Sequence, residues 1–586
     1  MNAKTLFASG LALMVATSAQ ATGNREFRQL KAMGVMNLAK AMASGPAQPI
    51  SEEAAMRNDA RESRNRDMIE SASASRQTTK AALALPPLPP IPTVGGIPIA
   101  GNRGAFAFTG ITNFSQAGAN SGFSVEPPDQ ALCAGNGFVF EATNNALAVY
   151  DERGQILAGP APTNQFFGQL PEANPASLNT SDPKCLFDAA SNRWFVTMIV
   201  YPNDISFSFV AIAVSQNGDP TGNFVLYALD VTNDGSDFFP GDCPCLGDQP
   251  LIGADANGFY ISTNAFGSTS FQGAQLYSLS KSALANHAAT VPVVHIDHLS
   301  DVLPDIEFSF SIQPSFSPPG DPGDPGTEYF VQGMRARRLE NRLVVYALGN
   351  TGAIDTNPKK LTLSLSVLPS QTYGRPIPVQ QKYGAAPLAI RAYRAGINSG
   401  QEQDLDANDQ RLSQVMLAGG HLWTAVGTPT LSDSSILRDG VAWFVIDASN
   451  PASGVRAAVA AQGYLAGPPD TSISYPSFGV NKRGRAAMVF SLAGPDNHPS
   501  AALWNFGRGS IHVFGEGTDP QDGFSAYFFG RPRWGDYSAA AIGSDGAIWM
   551  ATEMIPGGAR KVFANWGTSV GRVNHSGDND EPGDDD

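Results

Sequence analysis

A repeated pattern of apolar and polar positions runs along the chain from residue 122 onward. Each copy has a polar residue near its start, usually Asp, then a short apolar stretch, a turn rich in Gly, Asn or Asp, and a second stretch that opens on large apolar residues. The clearest copies start near Pro127, Ser181, Gly247, Asn408 and Gly535. Two apolar stretches joined by a short polar turn predict a β-hairpin in every copy.

Two weaker copies, over residues 310–336 and 475–491, bring the predicted number to seven. Most copies start 53 to 66 residues after the previous one, which is room for one four-stranded sheet with its loops. A single step of 96 residues predicts an insertion among residues 351–407. Self-similarity at a period above about 40 residues indicates a β-propeller. The sequence therefore predicts an all-β fold, a seven-bladed β-propeller over residues 104–573.

The last copy is one strand short, because only one further alternating stretch follows it before the acidic end of the chain. Residues 104–114, GAFAFTGITNF, precede the first copy and alternate in the same way. An unpaired edge strand leaves backbone hydrogen-bonding groups exposed. We therefore predict that residues 104–114 pair into the last blade and close the ring.

The segments outside the repeats differ in composition. Residues 1–21 combine Lys4, an apolar run and the small residues Ala19 and Ala21, as a secretory signal peptide does. Residues 22–85, rich in Ala, Met, Glu and Arg, predict a short helical or disordered leader. Residues 86–103 predict a linker rich in Pro and Gly, and residues 574–586 a disordered acidic tail. The mature protein is expected to be secreted or periplasmic.

Composition narrows the class of protein. Charged residues make up 16% of the chain and Gly and Pro number 60 and 43, which favours many short strands joined by turns. The net charge of -15 disfavours nucleic acid as a partner, because a phosphate backbone would be repelled. No later stretch approaches the roughly 20 continuous apolar residues of a membrane helix. A monomer without a membrane span is expected.

The four cysteines are Cys133, Cys185, Cys243 and Cys245. An even number in an exported chain favours disulfides over free thiols or metal ligands, and three pairings are open. All four lie within a few residues of the Asp that starts a copy of the repeat. The preferred pairing is Cys133 with Cys185 and Cys243 with Cys245, near one end of the first three blades.

The repeat also predicts where polar side chains gather. In a propeller the first strand of each blade lines the central channel, and the hairpin returns the chain to the end at which that strand began. A ring of acidic and amide side chains is therefore expected around one mouth of the channel, formed by Asp129, Asp182, Asp248, Asp409, Asp536, Asn144, Asn264 and Glu553. Such an Asp can equally be structural, because it accepts backbone N–H groups of the neighbouring connection.

The seventh copy has the greatest chemical variety, because Arg533, Trp534, Asp536 and Tyr537 are neighbours and Glu553 ends the paired strand. In an enzyme, Asp536 and Glu553 would be the catalytic carboxylates, supported by Tyr537 and Arg533, and paired carboxylates cleave glycosides. In a binding protein, Trp534 would join the ring of acids and amides in holding the ligand. The same residues could instead form an Arg–carboxylate pair that closes the ring.

No cofactor and no defined metal site are predicted. Residues 404–409 (DLDAND) and 233–237 (NDGSD) are oxygen-rich, and calcium binding stays open there, although the first of them fails the EF-hand pattern. His295 and His298 form a close pair, which is more often part of a loop than of a zinc site.

The stretch SDGAIW, residues 544–549, resembles a degenerate Asp box of the sialidase-like propellers. Asp boxes form turns, so the resemblance implies a propeller fold and no sialidase activity. With DCPCLGDQPLIGADANGFY and RPRWGDYS, residues 104–573 look like secreted bacterial propeller proteins to which no chemistry is attached. Two functions follow as hypotheses: a propeller that binds a carbohydrate or an extracellular protein at the channel mouth, or a glycoside hydrolase or polysaccharide lyase that uses the same mouth.

Overall fold

The computed structural model describes residues 17–20, 24–44, 89–100, 105–120, 122, 124–168, 174–235, 241–299, 303, 308–335, 339–382, 404–521, 533–557 and 565–574. Before the first repeat the elements are β1 (Thr17–Gln20), β2 (Arg25–Met36), α1 (Leu38–Ala43), β3 (Ile99–Ala100), β4 (Phe106–Thr112) and α2 (Asn113–Ala119). Within this part of the chain, no helix is long and apolar enough to cross a membrane.

The repeats form seven groups of four strands within the described residues, which we name units 1 to 7. Units 1 and 2 are β5 (Ala131–Gly135), β6 (Phe138–Thr143), β7 (Ala146–Asp151) and β8 (Ile156–Pro162), followed after α3 (Thr163–Phe167) by β9 (Leu178–Asp188), β10 (Arg193–Pro202), β11 (Phe209–Ser215) and β12 (Phe224–Asp230). Unit 3 is β13 (Leu246–Ala254), β14 (Gly258–Phe266), β15 (Phe271–Ser280) and, after α4 (Lys281–Ala285), β16 (Thr290–Ile296). Unit 4 is β17 (Gln313–Phe316), β18 (Thr327–Gly333), β19 (Leu339–Gly349) and β20 (Thr362–Gly374).

The remaining units continue in the same order. Unit 5 is β21 (Val415–Ala418), β22 (His421–Leu431), β23 (Leu437–Ser449) and β24 (Arg456–Leu465), and unit 6 is β25 (Ser472–Val480), β26 (Ala486–Gly494), β27 (Asn497–Asn505) and β28 (Ile511–Gly515). Unit 7 is β29 (Ala539–Ile542), β30 (Ile548–Met554), β31 (Gly567–Val573) and β4. Neighbouring strands within each unit are antiparallel, as in the hairpins of unit 1.

The expected closing pair is present in unit 7. β4 runs antiparallel to β31, with Phe106 opposite Arg572 and Thr112 opposite Gly567. The buried carboxylate of Glu141 in unit 1 holds this pair, because it accepts the N–H of Ile111 at 2.9 Å and the hydroxyl of Thr568. A Cβ at Gly110 would overlap that carboxylate, so the close approach requires glycine here. The N-terminal and C-terminal ends of the repeats are thus joined in one sheet.

The first strands of the units contact one another in chain order, and β29 contacts β5. Aromatic side chains of the second strands pack between neighbouring units. Phe195 stacks on Phe259 with ring centroids 5.0 Å apart, and Tyr260 meets Phe330 edge to face at 5.8 Å. The large residues at the start of each second stretch in the repeat therefore form the cores between sheets, where aromatic pairs contribute beyond their buried area.

The N-terminal segment differs from the helical or disordered leader expected for residues 22–85. β2 pairs with two outer edges, through residues 25–31 with β16 and through residues 32–36 with β12. β1 pairs with β20. Only α1 is helical among the residues described between 22 and 85. The segment forms strands because open edges of the sheets offer backbone partners, which override local propensity.

An ionic cluster ties β2 to units 2 and 3. Arg28 donates to Asp234 through Nη1 at 2.8 Å, and the Tyr277 hydroxyl donates to the same carboxylate at 2.8 Å. His295 stacks on Tyr277, and burial lowers the pKa of its imidazole. His295 is therefore part of this structural cluster. Asp234, which lies in the oxygen-rich stretch 233–237, is bound by Arg28.

Two further predictions concern the insertion and the disulfides. Of the stretch 351–407 in which an insertion was predicted, residues 362–374 form the fourth strand of unit 4, and residues 383–403 lie outside the described residues. Both preferred disulfides are present, Cys133–Cys185 with Cα atoms 5.5 Å apart and Cys243–Cys245 at 4.3 Å. The first links the neighbouring first strands β5 and β9.

Candidate functional site

Each unit has a residue in the left-handed backbone region within its first strand or in the loop that leads to it. These residues are Asp129, Asp182, Gln249, Ser311, Asn408, Tyr475 and Gly535, with φ from 46° to 60°. We call the end of the first strands marked by them the mouth. Asp129 and Asp182 hold this position themselves, whereas Asp248 precedes it by one residue and Asp409 and Asp536 follow it by one. The five acids of the predicted ring are therefore not equivalent.

Buried amides join neighbouring units at the mouth. Asn144 of unit 1 accepts the backbone N–H of Asp182 in unit 2 at 2.9 Å and donates to the Asp129 carboxylate at 2.7 Å. Asn264 of unit 3 accepts the N–H of Ser311 in unit 4 at 2.9 Å. Both amides thus satisfy a backbone N–H that the left-handed turn directs away from its own sheet. Asn144 and Asn264 therefore hold neighbouring units together through these hydrogen bonds, and we call them structural clamps.

Three of the five acids come together. Carboxylate oxygens of Asp129, Asp182 and Asp536 lie within 4.8 Å of one another. The ammonium of Lys184 lies over the ring of Tyr537 beside this trio, and the Tyr537 hydroxyl donates to the carbonyl of Pro183 at 3.1 Å. We call these five side chains the acidic cluster. Such carboxylates could ligate a divalent cation, but Lys184 already supplies a positive charge to them.

Burial shifts the titration of the cluster. It lowers the pKa of Lys184 to about 7, even though Asp182, Asp129 and Asp536 each favour the charged amine. Lys184 is partly exposed, and it lines the central cavity described below, so its accessible surface faces that cavity. Burial, reinforced by the same three carboxylates, raises the pKa of Tyr537 well above its ordinary value. Tyr537 is therefore a hydrogen-bond donor at neutral pH.

Asp409 belongs to a separate ionic group. Arg411 binds its carboxylate with two nitrogens, Nε at 2.9 Å and Nη2 at 3.0 Å, and Arg335 approaches it at 3.2 Å. Arg411 also donates across to Gln249 Oε1 of unit 3 at 2.8 Å. Asp248 is not part of the trio, and its charge contributes to the raised pKa of Tyr537.

The remaining residues of the seventh copy are buried. Trp534 is 1% exposed and packs in a hydrophobic cluster with Trp549 and Trp566, so its indole cannot stack on a ligand at the mouth. Arg533 Nη2 lies 3.6 Å from Asp536 Oδ2. Glu553 accepts the N–H of Gly535 at 2.8 Å, and burial followed by the nearby Glu126 and Asp129 raises its pKa well above the ordinary value. The charged form of Glu553 is therefore disfavoured by its surroundings.

A central cavity of about 100 Å³ is lined by the first strands and their leading loops in all seven units. Its polar lining includes Lys184, Asp409, Arg411 and Asp536. Gln130 and Asn408 are also lining residues, and their buried side-chain oxygens, Oε1 and Oδ1, have no hydrogen-bond partner among the described residues. The amide nitrogen of Asn408 donates to Asp536 Oδ1 at 3.0 Å. Glu553 is not among the described lining residues.

Four of these residues were not predicted from the sequence. Lys184 follows Asp182 by two positions, and the alternation of a strand puts such residues on one face, so this signal was readable. Gln130, Asn408 and Arg411 carry no comparable signal, because their importance depends on contacts between units. In the loop at 404–409, Asp409 is bound by arginines.

No family model matches the chain, and no curated protein sequence matches it. Solved structures similar to it include an exo-β-1,3-galactanase from Clostridium thermocellum at 12% identity and TM-score 0.27, covering 68% of this chain and 76% of that one. The Hadza microbial sialidase Hz136 has 9% identity and TM-score 0.32, covering 74% and 73%. A fungal copper-bound alcohol oxidase of the AA5 family has 12% identity and TM-score 0.31, covering 83% and 76%. At these scores the likeness carries no argument about this chain.

Proposed function

We propose that the chain is a seven-bladed β-propeller that binds a neutral carbohydrate in the central cavity at its mouth. Three observations within the described residues support the seven-bladed fold. First strands contact one another in order and return to the first, each unit has one left-handed residue at the same place, and β4 completes unit 7. A closed ring of such sheets leaves only short, protected strand edges.

Gln130 and Asn408 support the proposal that a carbohydrate binds here. A buried polar atom without a partner costs about 1–3 kcal/mol, so it is normally paired with protein, water or ligand. Gln130 and Asn408 line the cavity, and their buried side-chain oxygens, Oε1 and Oδ1, have no protein partner among the described residues. Both are acceptors, and a ligand hydroxyl is a donor that could satisfy each of them.

The charges of the cavity support a neutral ligand. Its described lining contains two acids, Asp409 and Asp536, and two cations, Lys184 and Arg411. Donors and acceptors are therefore mixed without a dominant sign. Hydroxyl groups donate and accept at once, so a polyhydroxylated molecule matches such a lining better than a polyanion does.

Binding is favoured over hydrolysis by the positions of the two candidate catalytic carboxylates. Asp536 lines the cavity, whereas Glu553 is 1% exposed, is bonded to Gly535 and does not line the cavity among the described residues. A retaining or inverting glycosidase needs both carboxyl groups to flank the scissile bond. A ligand in the described cavity would meet only one of them.

We further propose that the protein is exported from the cytoplasm. Two disulfides support an oxidising compartment. Removal of residues 1–21 would take away β1 and its pairing with β20, while β2 and its two edges would stay. Sequencing of the mature N-terminus tests this part directly, since export with processing predicts a start at residue 22.

A glycan array followed by calorimetric titration tests the binding. We expect neutral glycans to bind, and Asp536→Asn to weaken the affinity by about tenfold, because one charged acceptor is lost. Asp545→Asn is the matched control, since Asp545 lies on the β29–β30 turn at the other end of the same hairpin and should leave the affinity unchanged. Binding of acidic glycans alone would contradict the proposal, and release of reducing sugars from a bound glycan would replace it with hydrolysis.

A further inference from the structure

The end of the first strands opposite the mouth contains a basic pocket. Its cavity of about 410 Å³ is lined by the β25–β26 turn, the β29–β30 turn and the end of β31. Lys482, Arg483 and Arg572 supply three cationic side chains to this lining. Such a concentration of positive charge is unusual in a chain whose net charge is -15. We call it the base pocket.

The charges of Lys482 and Arg483 are not compensated within the described residues. Arg572 is neutralised by Asp545 and lies 3.6 Å from Glu152. Lys482 and Arg483 are exposed, and no described acidic side chain pairs with either of them. Among the described lining residues, three cations therefore face one acid, Asp545.

The turn that presents these charges is fixed. The side-chain oxygen of Asn481 accepts the N–H groups of Arg483 at 3.0 Å and Arg485 at 3.2 Å. The Asn481 amide nitrogen donates to the carbonyl of Gly546 at 3.2 Å, which ties the turn to unit 7. A turn held at both ends positions Lys482 and Arg483 before any ligand arrives, and such preorganisation reduces the entropy lost on binding.

The chain leaves the described structure at the base pocket. Asn574 follows β31 and lines the pocket. The remaining residues are HSGDNDEPGDDD, with six acidic side chains among residues 578–586. Four residues span at most about 14 Å, so Asp578 is within reach of the pocket lining. A short tether also gives the segment an effective concentration on the order of millimolar.

We propose that the base pocket binds the acidic segment 578–586 of the same chain. The acidic side chains neutralise the two uncompensated cations, Lys482 and Arg483. The base pocket shares Pro319 and Ile542 with the central cavity.

A zero-length carbodiimide cross-link tests the contact in the full-length protein. The reagent activates a carboxyl group, a lysine amine that touches it attacks, and an amide forms as urea is released. After tryptic digestion, mass spectrometry should find residues 573–586 joined to the peptide that contains Lys482. Lys482→Arg keeps the charge but has no reactive amine, so that product should disappear.

Two controls separate this contact from unspecific attraction. Lys359 and Lys360 are exposed lysines on the β19–β20 connection of unit 4 and should give less than a tenth of the Lys482 product. Arg483→Glu should lower the Lys482 yield at least threefold at an unchanged melting temperature, whereas Lys360→Glu should not. A tenfold rise in ionic strength should also lower the yield, because screening weakens exposed ion pairs. No Lys482 product, or equal yields at Lys359 and Lys360, would overturn the proposal.

Discussion

Replacing Asn144 by Ala should weaken the joint between units 1 and 2. The change removes the acceptor of the Asp182 N–H, at 2.9 Å, and the donors to the Asp129 carboxylate, at 2.7 Å, and to the Pro127 carbonyl, at 3.0 Å. A buried backbone N–H left unpaired costs about 1–3 kcal/mol, and the loss of the two other bonds adds to it. We expect a total of about 3 kcal/mol.

Calorimetry measures this effect as a lower melting temperature. The entropy of unfolding is about 2.1 cal/mol/K per residue, so for a chain of this size about 3 kcal/mol corresponds to roughly 2 °C. Asn217→Ala is the matched control, because Asn217 also accepts a backbone N–H, that of Asp219 at 2.9 Å, but in an exposed turn. Equal melting temperatures of the two variants would refute the clamp between units.

Further predictions concern the acidic cluster, the disulfides and the N-terminal strand. Because the pKa of Lys184 is lowered to about 7, the folded protein binds fewer protons than the unfolded chain between about pH 7 and 10.5. The stability of the wild type relative to Lys184→Met should therefore rise with pH in that window. A stability difference that does not change with pH would contradict this prediction. Replacing Cys133 and Cys185 by Ala should cost about 4 kcal/mol in denaturant melts, because the bond closes a loop of 52 residues, and replacing Cys243 and Cys245, two residues apart, should cost less. Deleting residues 24–44 should uncover the edges of β12 and β16 and cause self-association in light scattering, whereas a monomeric deletion variant would show that β2 protects neither edge.

The repeat could be predicted from the sequence because each copy uses the same local physics. Apolar alternation and polar turns specify hairpins, and residues 104–114 carried the alternation of the strand that joins unit 7. The left-handed residues were harder to predict. Gly535 and Asn408 suit that conformation, but Gln249, Ser311 and Tyr475 adopt it only because contacts between units hold them there. The Asp residues near the starts of copies consequently looked more alike than they are.

The N-terminal strand and the cavity lining could not be predicted for a different reason. Residues 25–36 have no strand-like alternation, and they form β2 because two distant edges, β12 and β16, offer partners. Trp534 looked like a ligand platform beside Asp536, yet packing with Trp549 and Trp566 buries it. Both outcomes depend on parts of the chain that are remote in sequence.

The most direct test of the carbohydrate site is titration of a neutral glycan into Gln130→Met. Gln130 Oε1 has no partner among the described residues, so methionine, of similar length, removes an unpaired buried polar atom and should leave the melting temperature unchanged or higher. If the glycan donates a hydroxyl to that oxygen, the loss of about 0.5–1.5 kcal/mol weakens the affinity about 2- to 13-fold. A lower melting temperature with unchanged glycan affinity would contradict the account, because Gln130 would then hold the fold and not the ligand.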